Sequence, residues 1–203
     1  MALATYPDLV NAVAGWLHRD DLASSVPDFI ALAEARLNRD VRVRQQMTTA
    51  TLVTVAATQA VALPADWLQF HRVRLSSPDR PLTMLPGPDF EAMYRVSDTG
   101  APRNYTVEGS SLLLGPVPDS AYSIEAAYYA KLPTLTALAP TNWLLTAWPS
   151  LYLYAALAES APYLGQDSRR AMWEMMYATD LGAALATDRR ARASGSTMRM
   201  RAR

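Results

Sequence analysis

The chain has 203 residues, 50% of them hydrophobic and 19% charged, which allows one domain, or one domain with an insertion, and a sizeable core. Formal charge is zero, yet residues 1–188 carry 13 basic and 19 acidic side chains, leaving the body at −6 and the last fifteen residues at +6. An acidic body argues against broad wrapping of nucleic acid, and the lack of cysteine excludes disulfides and thiolate metal sites.

Two tetrads open the chain in parallel, TYPD at Thr5–Asp8 and SVPD at Ser25–Asp28. In each, a hydroxyl residue can cap exposed amides of a first helical turn, proline fits within that turn, and the acid three residues on completes a capping box. Leu9, Val13, Trp16 and Leu17, then Ile30, Ala33, Leu37 and Val41, recur at helical spacing. The spacing predicts helices over 6–18 and 26–43, joined by a polar turn at Asp20–Asp21 as an antiparallel pair. The N-terminal MALATYPDLV has no basic region before an apolar core, so no secretory signal is expected.

From Met47 the texture is β-branched and short. MTTATLVTV and QAVAL, separated by AAT, predict a hairpin. WLQFHRVRLSS and RPLTML predict two more strands, and Pro88 and Asp89 start a brief helix. RNYTVEGSSLLLGPVPD reads as strand, turn at Gly109, and strand. In AYSIEAAYYAK, Tyr122, Ile124, Ala126 and Tyr128 alternate with Ser123, Glu125, Tyr129 and Lys131. About six strands are expected between Met47 and Lys131.

Helical signals return after LPTLTALAPT. Asn142 is a cap, Pro149 begins a main helix through about Tyr163, and Gly165 ends it. A last helix follows, with Met172, Met176 and Leu185 facing inward. The fold class is therefore α+β. Two N-terminal helices (1–46) and two C-terminal helices (133–188) form an antiparallel bundle, with a small antiparallel β domain (47–132) inserted and an arginine-rich arm (189–203) extended. No apolar run is long enough to span a membrane; NWLLTAWPSLYLYAALA is interrupted by Pro149. A protein soluble and intracellular when made is expected.

Catalytic signals are thin. His18 and His71 stand far apart, and His18 suits a helix end as a cation. No G-x-S-x-G elbow or glycine-rich phosphate loop occurs. Glu34, Glu91 and Glu174 are the acids one would try as a catalytic pair, but nothing in the sequence brings them together. No enzyme, cofactor or metal is expected. Trp143, Trp148, Tyr152 and Tyr154 crowd one short span and are candidates for a subunit interface, since Trp and Tyr concentrate there.

YPDLVNAVAGWLHRDDL…VPDFIALAEARLNRDVR, LLLGPVPD, IEAAYYAKLPTLT and NWLLTAWPSLYLYAALAESAPYL, in this order, resemble the head-to-tail adaptor (connector) proteins of tailed bacteriophages. The likeness is to the portal-binding adaptors of short-tailed phages and covers most of residues 5–165. It implies a structural virion protein at the head–tail junction, made in the host bacterial cytoplasm. It also implies a ring of twelve subunits below the portal, which extends the DNA channel and offers a surface to a tail protein, nozzle or tube. DNA would pass through without specific binding, and an acidic conduit discourages sticking.

The tail RRARASGSTMRMRAR then has three readings: an arm docked on the portal, a non-specific nucleic-acid clamp, or a solvated end. Met198, Met200 and Ala202 alternate with Arg199, Arg201 and Arg203, which suits an extended strand on a protein surface. With Arg189, Arg190 and Arg192 these residues make up the expected portal-docking arm. The clamp is the alternative. Of the basic residues only Lys131 is a lysine; arginine's fork favours interface ion pairs, though a GC-rich genome would give the same bias.

Overall fold

The structure, a computed structural model, describes residues 3–22, 24–95, 97–165 and 168–194. Gln46–Lys131 forms one compact unit, and the chain on both sides of it forms the other. The class is α+β, with the β unit interrupting the helical one in sequence.

The helical unit contains α1 (Tyr6–Leu17), α2 (Val26–Asp40), α4 (Trp143–Ala147), α5 (Pro149–Ser160) and α6 (Arg170–Ala193). Helix α1 starts as its tetrad predicts: the Asp8 amide donates to Thr5 Oγ1 at 3.4 Å and the Thr5 amide to Asp8 Oδ2 at 3.1 Å. The second tetrad differs. Ser25 has helical backbone angles (φ −94°, ψ −16°) and makes no side-chain cap bond. Its amide is already tied to the Leu22 carbonyl at 2.8 Å by the short 3-10 turn Asp20–Leu22, so its hydroxyl never takes the extended cap position. Asn142 does cap, accepting the Leu145 amide at 2.8 Å.

Helix α5 is the centre of this unit and packs against α1, α2, α4 and α6. Leu151–Leu153 and Ala155–Ala158 are all buried, so the helix is covered on every side. Its alanines allow close approach, while Tyr152 and Leu157 fill the larger gaps. Helix α6 presents Trp173, Tyr177, Ala184 and Asp188 inward, each of the first three one residue away from the position expected. Met172 and Met176, expected in the core, are 41% and 38% exposed, and Leu185 is only partly buried against it. Burying flat aromatic area removes more surface from water than burying a thioether, so the Trp and Tyr took the inner stripe.

Among its described residues the β unit holds eight strands, not six, and helix α3 (Gly87–Met93). The first sheet runs β1 (Met47–Val53), β8 (Ser123–Ala130), β3 (Trp67–Leu75), β4 (Arg80–Pro81). The second runs β2 (Ala60–Ala62), β7 (Ser111–Gly115), β6 (Asn104–Glu108), β5 (Thr83–Met84). The expected β1–β2 hairpin does not form: β1 pairs with β8, and β2 with β7. RPLTML likewise splits between sheets at Leu82, and β5 joins β6 in parallel. Leu82 itself lies in a core with Val73, Leu75 and Ile124 from one sheet and Tyr105, Leu112 and Leu114 from the other. The β6–β7 hairpin turns at Gly109 as expected, where φ is +55°, a conformation glycine adopts without strain.

Candidate assembly surfaces

Polar side chains inside the helical unit serve as joints between its elements. Glu34 and Asn38 lie one turn apart on α2 and receive the chain returning from the β unit. The Leu135 amide donates to Glu34 Oε1 and the Leu132 amide to Asn38 Oδ1, both at 2.8 Å. The Tyr152 hydroxyl donates to the same Glu34 oxygen at 2.8 Å and accepts from Asn142 Nδ2 at 3.2 Å. Burial holds the Glu34 carboxyl above its ordinary pKa and pushes the Tyr152 hydroxyl up as well, with Glu34 beside it adding to the effect.

Arg36 is the second joint. Its guanidinium forks onto Glu174 of α6 (2.6 and 3.1 Å), reaches Glu159 of α5 (3.3 Å), and lies 4.1 Å from the Tyr177 ring centre. The hydrogen bond from Arg36 holds the Glu174 carboxyl below its ordinary pKa. A third joint ties the end of α6: buried Asp188 accepts the Arg44 amide at 3.0 Å and Arg192 Nε at 2.6 Å.

These joints rearrange the expected interface. Tyr152 is fully buried and bonded within its own subunit, so it is no part of an outer surface. Its hydroxyl found an internal acceptor, something a single segment's sequence does not reveal. Trp143, Trp148 and Tyr154 are partly buried against the same core, and Tyr154 meets the Trp16 ring edge-on at 5.9 Å. The expected acids are dispersed. Glu34 and Glu174 are joints of the helical unit, while Glu91 is exposed on α3 of the β unit. His18 occupies the left-handed cap position of α1 (φ 54°), and His71 meets the Tyr129 ring edge-on in the β unit.

The range expected for the arm overlaps a helix. Arg189, Arg190 and Arg192 belong to helix α6, which runs to Ala193. Alternating arginine and alanine are strong helix formers, and cations suit a helix C-terminus. Met198, Arg199, Met200, Arg201 and Arg203 lie outside the described residues. Arg189 and Arg192 instead line a concavity with Arg42, Leu185 and Asp188.

Two surface features escaped the sequence reading. One is a cleft between α1 and α6, lined in part by Trp16 and Met172. The other is Leu138, 98% exposed on the segment leading to α4. Met172 is the sequence signal for the first, although its spacing fits a core position equally well; an uncharged loop tip is the signal for the second.

Among the described residues no three His, Asp or Glu side chains gather as a metal site, and no helix is long and apolar enough to cross a membrane. Residues 4–201 match the family described as SU10 adaptor protein. The search of curated proteins returned no match.

Proposed function

The chain belongs to the SU10 adaptor protein family, a family of phage head-to-tail adaptors, and from that premise we propose how this member works. Its role is structural. Copies assemble as a ring, of twelve in our reading, beneath the portal at the head–tail junction. The ring extends the DNA channel and gives a tail protein its attachment surface. The observation that carries this is a family match over nearly the whole chain, helical unit and β unit together.

The geometry supports the reading in its use of polar groups. Glu34, Arg36 and Asp188 each brace separate segments of the helical unit, which suits a structural part. The docking arm begins beyond α6. Arg199, Arg201 and Arg203 supply bidentate donors for portal carboxylates, and Met198 and Met200 adapt to shallow grooves. Arg189 and Arg190 present charge from the helix end at its base, and Arg192 there pairs with Asp188.

Electron microscopy of the purified protein, alone and mixed with the portal protein of the same phage, tests the proposal. Added ring density on the narrow end of the portal is expected, with the subunit number read from class averages. Portals that stay bare at saturating protein would overturn it.

A further inference from the structure

The C-terminal ends of α2 and α6 bring three arginines to one concavity of about 210 Å³, lined by Arg42, Leu185, Asp188, Arg189 and Arg192. On α6 the lining residues follow one another at steps of three, one and three, the spacing of a single helical face. Arg190 falls outside that spacing and does not line the concavity. Leu185, partly buried against the core, forms the apolar part of the wall.

Each guanidinium is held in place by its own subunit. Arg42 Nη1 donates to the Asn38 and Val41 carbonyls at 2.7 and 2.6 Å, and Arg189 Nε to the Leu185 carbonyl at 3.4 Å. Arg192 Nε donates to Asp188 Oδ2 at 2.6 Å. Capping accounts for one cation at each helix end. It does not account for three in one concavity whose lining holds a single carboxylate, a surplus of two positive charges. Such a surplus raises the local positive potential on a body that is otherwise acidic. Donors already fixed in position lose little freedom when an anion arrives.

We propose that this concavity is a carboxylate-binding site that takes an acidic side chain of the portal protein. On the adaptor reading, on which this depends, the site adds a fixed point of contact at the root of the arm. Arg192 precedes residue 195 by three positions, at most about 11 Å of extended chain, so concavity and arm meet the same partner. A guanidinium fork matches a carboxylate in two parallel hydrogen bonds, and Leu185 offers an apolar wall to the methylene carbons behind it. A DNA strand is a poorer match: it carries a line of phosphates, and those beyond the concavity would face the acidic body.

Two variants of the full chain with equal net charge test the site. Arg189 and Arg190 are both exposed near the end of α6, so Arg189→Glu and Arg190→Glu should leave circular dichroism unchanged. Only Arg189→Glu puts a competing carboxylate into the concavity. It should lower capping of the portal protein of the same phage by about tenfold or more, read by co-sedimentation, while Arg190→Glu stays within about threefold of the parent. Arg189→Gln, which removes the charge and adds none, should show a smaller loss in the same direction. Equal losses in the two glutamate variants would reduce the effect to net charge and overturn the proposal. Parental capping by both Arg189 variants overturns it too, and the adaptor reading then stands. Loss of salt-sensitive DNA retention with capping intact would assign the concavity to phosphate and overturn it as well. Portals left bare by the parent itself would overturn both readings.

Discussion

Glu34 Oε1 accepts both the Tyr152 hydroxyl and the Leu135 amide, each at 2.8 Å, so one buried oxygen joins α2, α5 and the segment returning from the β unit. The expected effect of substitution follows from which atom does the joining. Glu34→Gln keeps an acceptor oxygen in place and should change stability by less than about 1 kcal/mol. Glu34→Ala strips the acceptor from a buried amide and should cost about 2–4 kcal/mol. Urea unfolding of the two variants checks this; equal losses would show that the charge, not the oxygen, is what matters.

The same residue and Glu174 should respond to pH in opposite directions. Burial raises the Glu34 carboxyl above its ordinary value of 4.5, so the folded state holds its proton more tightly than the unfolded state. That contribution is fully present below 4.5 and is lost as pH rises through the folded value. Arg36 lowers the Glu174 carboxyl, so its contribution is present above 4.5 and is lost as pH falls through the folded value. Unfolding midpoints from about pH 3 to 7 should show the parent losing ground to Glu34→Gln as pH rises. Against Glu174→Gln it should gain ground over the same range. Parallel curves for both variants would contradict the assignment.

Arg36 should not tolerate lysine. Its fork onto Glu174 and its stacking on Tyr177 both need the planar guanidinium. Arg36→Lys keeps the charge but should still cost about 1–2 kcal/mol. Full retention of the thermal midpoint would mean that net charge alone suffices.

In the β unit, a Cβ placed on Gly115 would stand 2.4 Å from the Tyr94 ring, whose hydroxyl donates to Asn104 Oδ1 at 2.5 Å. Gly115→Ala should therefore cost about 1–3 kcal/mol through forced displacement of Tyr94. The loss should be largely absent when alanine is introduced into a Tyr94→Ala background. A double-mutant cycle measures that coupling, and additive losses would place the strain elsewhere.

Local features were legible in the chain because their causes are local. The Thr5–Asp8 box, the Asn142 cap and the Gly109 turn each depend on residues within a few positions. The errors arose where distant partners decide. MTTATLVTV has strand texture, but its alternation does not say that β8, far along the chain, will lie beside it rather than β2. Helical spacing on α6 fits a stripe through Met172 as well as one through Trp173; which is buried depends on the face α5 offers. The interface reading of Tyr152 failed for the same reason, since Glu34 supplies its acceptor from another helix.

The end of the chain gives the sharpest test, because the corrected boundary changes the experiment. Asp188 is 7% exposed and is held by Arg192 as well as by the Arg44 amide. A truncation after Asp188 therefore removes the last turn of α6 and leaves that carboxylate with one partner fewer. It should lower stability by about 1–2 kcal/mol and confuse folding with docking. A truncation after Ser194 leaves the helix whole and should give unchanged circular dichroism and an unchanged unfolding midpoint. Three of the six terminal arginines go with it, together with Met198 and Met200. A segment so poor in apolar residues has little to gain from ordering on its own, so its partner must supply the other surface. Each arm contributes modestly, but a ring repeats the contact, and linked contacts raise the effective concentration steeply. Portal capping by the truncated protein should fall at least tenfold, read by electron microscopy or co-sedimentation. Normal capping, with loss only of salt-sensitive DNA retention, would instead establish the arm as a nucleic-acid clamp.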